Sequence, residues 1–354
     1  LYNVVQLSVD SARDNGADYV VAIGHLGTEG SKPEWQAASV IANTTGIDAF
    51  IDGHSHEAYS KTVKSKDGRD VVLAQTGTKL NSIGKLVIDP DTGKITDELI
   101  TDYEGKDPVT AQFISALQEG FSDILNQTVA KADVALTSSD PATGRRMIRS
   151  AETNLGDLVA DAYRNVMGAD IGIANGGGIR ADLEQGDITY EDIINVHPYG
   201  NEMCVAEATG QEILDALELG ASKYPEENGG FLQVSGLTYT IDPSIPSSVV
   251  RNDEGEFIKV DGAYRVKDVF VNGEPLDLNK TYTVASHNYM LKNGGDGYVM
   301  FKDNKLIKDC TMLDNEVLID YITKELGGSV GKEYSDPYGQ GRISVASAAA
   351  ANAA

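Results

Sequence analysis

Three of the five histidines in this 354-residue chain stand just past two short apolar runs. Tyr19-Val20-Val21-Ala22-Ile23 leads into Gly24-His25, and Ala49-Phe50-Ile51-Asp52 leads into Gly53-His54-Ser55-His56. Loops beyond the carboxyl ends of strands are where open α/β sheets gather ligands. Imidazole is the commonest nitrogen ligand for zinc, manganese and iron. The glycines let the backbone turn sharply, so that His25, His54 and His56 could face one ion. If residues 53–56 are extended, alternation puts His54 and His56 on the same side. Metal-assisted hydrolysis is the chemistry such a set could serve, although a two-metal centre also needs carboxylates to bridge and neutralise its ions.

A second group suits anions and planar rings. Ile171-Gly172-Ile173-Ala174 reads as a strand running into Asn175-Gly176-Gly177-Gly178-Ile179-Arg180. Successive free N–H groups form an anion-binding concavity, and a guanidinium adds a fork that fits phosphate or carboxylate. Standing alone, the triple glycine centred on Gly177 reads first as simply a turn; beside the other motifs, it is expected to present bare amides in that way. Its spacing is not that of the dinucleotide fingerprint. Gly294-Gly295-Asp296-Gly297-Tyr298 adds a carboxylate that could accept from ribose hydroxyls. Gly230-Phe231-Leu232-Gln233-Val234-Ser235-Gly236 sets an aromatic beside glycine, where a base could lie on the ring face. Taken singly, Phe231 and Tyr289 read first as core residues; a base stacked between two aromatics is the sharper reading.

The elements that must position these residues follow from periodicity. Residues 1–15 read as a helix, the two apolar runs as buried strands with a helix containing Trp35 and Ile41 between them, and residues 71–74 and 83–88 as further strands. Pro90-Asp91-Thr92-Gly93 is a turn. Residues 107–127 have Phe113, Leu117, Phe121 and Leu125 four apart, an amphipathic helix opened by Asp107-Pro108. It separates two differently patterned regions and is expected to be a linker and hinge. Beyond it, residues 134–136 and 171–174 are expected strands, and helices are expected over 150–167, from a Thr189 cap, and over 210–224. Residues 231–285 read mainly as strands. Alternating strands and helices, then runs of strands, give an α/β (α+β) class. The expected domains are 1–102, a linker over 103–127, a second domain over 128–345, and a low-complexity alanine tail over 346–354.

A net charge of −25 argues against nucleic-acid polymers as partners, since phosphate-tracking surfaces need clustered Lys and Arg. It leaves room for a small anionic substrate held by a few cations. No apolar run is long enough to span a membrane. Cys204 and Cys310 lack metal-like spacing; they read as buried thiols whose pairing is not deducible from sequence.

Ile23-Gly24-His25-Leu26-Gly27 and Asp52-Gly53-His54-Ser55-His56 resemble the last two motifs of calcineurin-like metallophosphatases of the 5′-nucleotidase branch. Glu152-Thr153-Asn154-Leu155-Gly156-Asp157-Leu158, the Asn175–Arg180 run, His197-Pro198-Tyr199-Gly200-Asn201, the Phe231–Gly236 run and Gly294–Tyr298 resemble the 5′-nucleotidase C-terminal domain over roughly residues 128–345. The resemblance implies a partial metallophosphatase β-sandwich flanked by helices, then a mixed α/β nucleotide-binding domain. It implies two divalent metal ions, zinc, manganese or similar, with His25 and His54 on one and His56 on the other. The family's Asp-x-His, bridging Gly-Asp and Gly-Asn-His motifs are expected before Leu1, in a missing N-terminal part. No catalytic residue is therefore assigned in this chain, and little hydrolysis is expected of it alone. The resemblance further implies that Arg145, Arg149 and Arg180 hold the substrate's anionic groups and that Asn175 and Asp296 contact the nucleoside. Phe231 and Tyr289 would sandwich the base, with Met290 in reserve for Tyr289, while His197 and His287 read as structural. The implied reaction is hydrolysis of nucleotide phosphate esters by a protein outside the cytoplasm: extracellular, periplasmic or in the cell wall. Alternatives are a nucleotide-sugar (UDP-sugar) hydrolase, a 2′,3′-cyclic-nucleotide phosphodiesterase, or a non-catalytic nucleoside-binding fragment.

Overall fold

The computed structural model describes residues 1–28 and 32–346, so most of the alanine tail lies outside the described residues. The chain divides into two compact units, Leu1–Ile114 and Ser115–Ala354.

In the first unit, α1 (Tyr2–Asp14) precedes β1 (Val21–Ile23), α2 (Ala37–Asn43) and β2 (Ala49–Ile51). The strands β3 (Ala58–Lys64) and β4 (Asp70–Thr76) complete a sheet of order β1-β2-β4-β3. The first three neighbours are parallel, and β3 is antiparallel to β4. Val9 from α1 and Val40 and Ile41 from α2 pack with Ile47, Phe50, Val71 and Leu73 as its core. A hairpin of β5 (Ile83–Ile88) and β6 (Ile95–Ile100) follows. Periodicity missed β3, whose residues are mostly exposed and polar and so carry little apolar alternation.

The division between units falls inside α3 (Pro108–Leu125), which buries none of its residues. Its expected apolar stripe is solvent-facing, with Phe113, Leu117 and Phe121 all exposed.

The second unit is built on a five-stranded sheet. Its elements run β7 (Thr128–Ala132), α4 (Asn154–Met167), β8 (Ile171–Asn175), β9 (Gly186–Thr189), α5 (Tyr190–Val196), β10 (Met203–Thr209) and α6 (Gly210–Ala221). Then come β11 (Leu232–Ser235), β12 (Leu237–Ile241), β13 (Val249–Arg251), β14 (Phe257–Val260), β15 (Val266–Val271), β16 (Glu274–Pro275) and β17 (Thr281–His287). The chain ends with α7 (Asn288–Leu291), β18 (Leu306–Lys308), α8 (Asp314–Asp320), β19 (Ser329–Val330) and β20 (Ile343–Val345). The central sheet has order β11-β8-β17-β10-β18, and the unit also holds smaller sheets of order β16-β15-β12-β20 and β19-β7-β9.

Both faces of the central sheet are covered, and this explains why its strands read as continuous apolar runs. Along β10, Met203 and Val205 enter the core shared with α4, α5 and α8, whereas Cys204, Ala206 and Ala208 enter the core shared with α6. Thr189 and Thr209 each close a capping box, with Asp192 and Glu212 respectively. The helix expected from residue 150 starts only at Asn154, where the Thr153 hydroxyl accepts from the Gly156 N–H at 3.0 Å. The strand expected at 134–136 is also displaced: β7 lies earlier, and Leu136 makes only an isolated bridge to Leu183.

Candidate functional site

At the end of β1, the loop bearing His25 is shaped by one buried carboxylate. Asp52 accepts from the Leu26 N–H at 2.8 Å and the Gly27 N–H at 3.0 Å. A Cβ at position 53 would sit 2.8 Å from His25 Nδ1, so glycine is what allows the imidazole its place. His25 and His54 meet edge to face with ring centroids 5.2 Å apart. His54 and His56 both take left-handed backbone, φ 84° and 60°, so residues 53–56 are not the extended segment expected. Non-glycine residues enter that region at a cost, and a turn there re-aims each ring. The donor chemistry fits a divalent ion at His25 and His54. Yet among the described residues the one trio of His, Cys, Asp or Glu ligand atoms within 4.8 Å of one another is Cys204, Asp309 and Cys310, elsewhere in the chain. The three histidines therefore do not close an ion site by themselves.

In the second unit, four residues from three segments form a continuous hydrogen-bonded chain. Asn175, at the end of β8, donates from Nδ2 to Asp296 Oδ2 at 2.7 Å. The Tyr289 hydroxyl donates to the other oxygen, Oδ1, at 3.1 Å and accepts from the Asp296 N–H at 3.1 Å. Asp296 itself holds φ 54°, in a loop whose glycines permit the turn. Behind Asn175, His287 Nε2 lies 3.1 Å from Asn175 Oδ1. Since that oxygen can only accept, the arrangement assigns the His287 proton to Nε2. Complete burial pushes His287 down to about 4, which keeps the ring neutral. His287, read as structural from sequence, is thus the far end of the chain that orients Asn175. Its signal lay one strand away and more than a hundred positions along, beyond any local motif. His197 is held neutral by the same cause, pushed down to about 3, and stacks on Tyr163.

The choice between Tyr289 and Met290 follows from exposure: Met290 is 0% exposed, whereas Tyr289 is 38% exposed. Burial and the Asp296 charge push the Tyr289 hydroxyl up to about 12, so it remains a donor. Phe231 is different. At 1% exposed it belongs to the core against α6, so its ring face is closed to a ligand in this conformation.

The triple glycine also departs from expectation. Its amides are already committed: Gly176 donates to the Phe231 carbonyl at 2.7 Å, Gly177 to Gly229 at 2.7 Å, and Gly178 to Asn175 at 2.9 Å. No nest of bare amides exists there. The glycines serve close packing instead, because a Cβ on Gly176 would stand 2.1 Å from the Ile148 carbonyl and one on Gly177 would stand 2.9 Å from that of Gly229.

The cationic side is made of arginines. Arg149 is partly buried, and its Nε is buried without a hydrogen-bond partner. Burial lowers its pKa first, and the like charges of Arg146 and Arg180 lower it further. Arg180 donates to the Gly177 carbonyl at 3.3 Å. Arg145 is exposed. Arg146, which the motif reading passed over, is paired with Glu227. Gln233 was quoted only as part of a motif, yet it pins the turn that carries Arg149. Its Nε2 donates to the carbonyls of Ile148 at 3.0 Å and Ala151 at 2.8 Å.

The second unit is thus a mixed α/β fold whose polar loops gather past the parallel strands β8 and β17. Residues 107–303 match the family described as 5′-nucleotidase, C-terminal domain, and the chain belongs to that family. It is 30% identical over 338 residues to the trifunctional nucleotide phosphoesterase protein YfkN of Bacillus subtilis, covering 92% of this chain and 21% of that protein. It is 32% identical over 225 residues to a 5′-nucleotidase of Vibrio parahaemolyticus, covering 63% of this chain and 35% of that one. The crystal structure of a 5′-nucleotidase precursor from Thermus thermophilus aligns with a TM-score of 0.73 at 27% identity, over 97% of this chain and 67% of that chain. The chain thus spans roughly a fifth to a third of the length of these two relatives. Among the described residues no helix is long and apolar enough to cross a membrane.

Proposed function

We propose that this chain provides nucleotide recognition for a metal-dependent 5′-nucleotidase, a hydrolase of nucleotide phosphate esters. The observation that carries the reading is Arg149. A buried guanidinium nitrogen without an acceptor, beside two like charges, is costly unless an anion completes it. In this reading Arg149 and Arg180 hold phosphate oxygens, with Arg145 free to swing in from the surface. Asn175 and Asp296 take the ribose or base edge, held in register by His287, and Tyr289 offers its ring to the base. Divalent ions, when bound, supply Lewis-acid polarisation of phosphate and an activated water. His25, His54 and His56 would be among their ligands, and the carboxylates that such a centre requires come from outside these residues. The family resemblance supports action outside the cytoplasm.

Isothermal titration of the 354-residue chain with AMP and with adenosine tests the assignment. AMP is expected to bind more tightly by about 1.5–3 kcal/mol, the scale of hydrogen bonds to charged groups. Arg149→Ala should remove most of that difference while leaving adenosine affinity in place. Equal affinities for the two ligands in the wild-type chain would defeat the phosphate role of Arg149.

A further inference from the structure

We propose that Cys204 and Cys310 form a disulfide site, closed by a two-electron oxidation between two adjacent strand segments. Cys204 is buried on β10, and Cys310 is partly exposed just beyond β18. Their sulfurs lie 3.8 Å apart, and the Cys310 N–H donates to Cys204 Sγ at 3.3 Å. The backbone is tied on both sides of the pair. Met203 donates to the Met312 carbonyl at 2.7 Å, Thr311 donates to that of Met203 at 3.1 Å, and Val205 pairs with Lys308. The gap left to the S–S bond length is therefore about 1.8 Å, between thiols already held face to face. Cys310 is also fixed at φ 49°, a strained conformation that a surrounding structure must enforce.

A metal is the competing occupant, since Cys204, Asp309 and Cys310 present three ligand atoms within 4.8 Å. The Asp309 carboxylate, however, is engaged by Lys292 Nζ at 2.5 Å, and the same ammonium lies 3.6 Å from Cys310 Sγ. A bound cation placed there would face that charge, whereas a disulfide would not. Burial pushes the Cys310 thiol up to about 12, so that thiol is protonated at neutral pH and reacts slowly without a catalyst. In the reaction each thiol gives up its proton, and the two sulfurs together pass two electrons to a small-molecule disulfide, which leaves as two thiols.

The site is independent of the nucleotide reading and is tested on the intact chain. Purified protein is incubated with oxidised glutathione and a thiol–disulfide oxidoreductase, then unfolded for thiol titration and mass spectrometry. Both thiols should disappear, with a mass loss of about 2 Da for two hydrogens. The melting temperature should rise by roughly 5–10 °C, because the bond closes a loop of about a hundred residues. Cys310→Ser should show neither change. Persisting free thiols, a stable glutathione adduct, or thiols masked by zinc and released by a chelator would each overturn the proposal.

Discussion

Gly176→Ala is expected to destabilise the second unit by about 3 kcal/mol or more, seen as a melting temperature lower by roughly 6–12 °C. The added methyl group would meet the Ile148 carbonyl oxygen at 2.1 Å, with Arg149 Cα only 3.3 Å away. Neither neighbour is the end of a flexible side chain. Relief requires moving the turn that Gln233 anchors through the Ile148 and Ala151 carbonyls. The substitution should therefore disturb Arg149 as well as the fold, and any folded fraction should bind AMP poorly. Gly120→Ala is the control. Gly120 lies in α3 with nothing within 4 Å of its would-be Cβ, and alanine there should be neutral or stabilising by about 0.5–1 kcal/mol. Urea unfolding of the two variants side by side reads the contrast. A Gly176→Ala protein as stable as wild type would mean that the Gly176 backbone does not pack against the Ile148 carbonyl.

The second large effect is a pH dependence set by Asp157. This side chain is 0% exposed at the start of α4. The Gln340 N–H donates to both Glu152 Oε1 at 2.6 Å and Asp157 Oδ2 at 2.9 Å, so two carboxyl groups converge on one donor. Glu152 also accepts from the Ile343 N–H at 2.7 Å. Burial pushes Asp157 up to about 8, against the pull of Arg342 and with the help of the Glu152 charge. Asp157 Oδ1 has no hydrogen-bond partner and lies 3.5 Å from Arg342 Nε, while the protonated carboxyl is hydrogen-bonded to Glu152, so that the two side chains hold one proton between them.

The sign follows directly. In the unfolded chain Asp157 loses its proton near 3.8, whereas in the fold it keeps it until about 8. Between those values the native state binds more protons, so this group's contribution to stability falls as pH rises and levels off above the folded value. The loss should be on the order of 3–5 kcal/mol across the window. Asp157→Asn keeps the acceptor for Gln340 and replaces the shared proton by an amide donor. The wild-type minus variant difference in urea midpoint, measured from pH 4 to 8, should therefore decline steadily. Buried groups distant from Asp157, such as Asp314, titrate in the same range but cancel in that difference. A flat difference would show that Asp157 is ionised in the fold at neutral pH.

These two cases show what sequence could and could not convey. The Glu152–Leu158 motif was recognisable as a string, and so was the triple glycine. Their partners were not: Gln340 and Ile343 lie more than 180 positions beyond Glu152. The glycines looked like an anion nest because sequence displays amides without showing their acceptors. Two of the three carbonyls that consume them, those of Gly229 and Phe231, come from the loop before β11. Phe231 looked like a stacking ring for a similar reason, since burial against α6 is a tertiary fact. By contrast, Asn175 and Asp296 stand in glycine-rich motifs that continue β8 and follow α7, a local signal, and Tyr289 was named through the resemblance to the family's motif order. The central strands were legible where both faces are buried, while the exposed β3 was not.

The central claim is that the loops past β8 and β17 form a nucleoside pocket with Tyr289 as its open aromatic wall. Calorimetric titration of adenosine into the intact chain and into Tyr289→Ala tests it most directly. Tyr289 is partly exposed, so the variant should fold normally. The account predicts saturable binding to the wild-type chain, weakened by about 1–3 kcal/mol in the variant, the scale of base–aromatic stacking. No adenosine binding to the wild-type chain, or identical affinity in the two proteins, would contradict it.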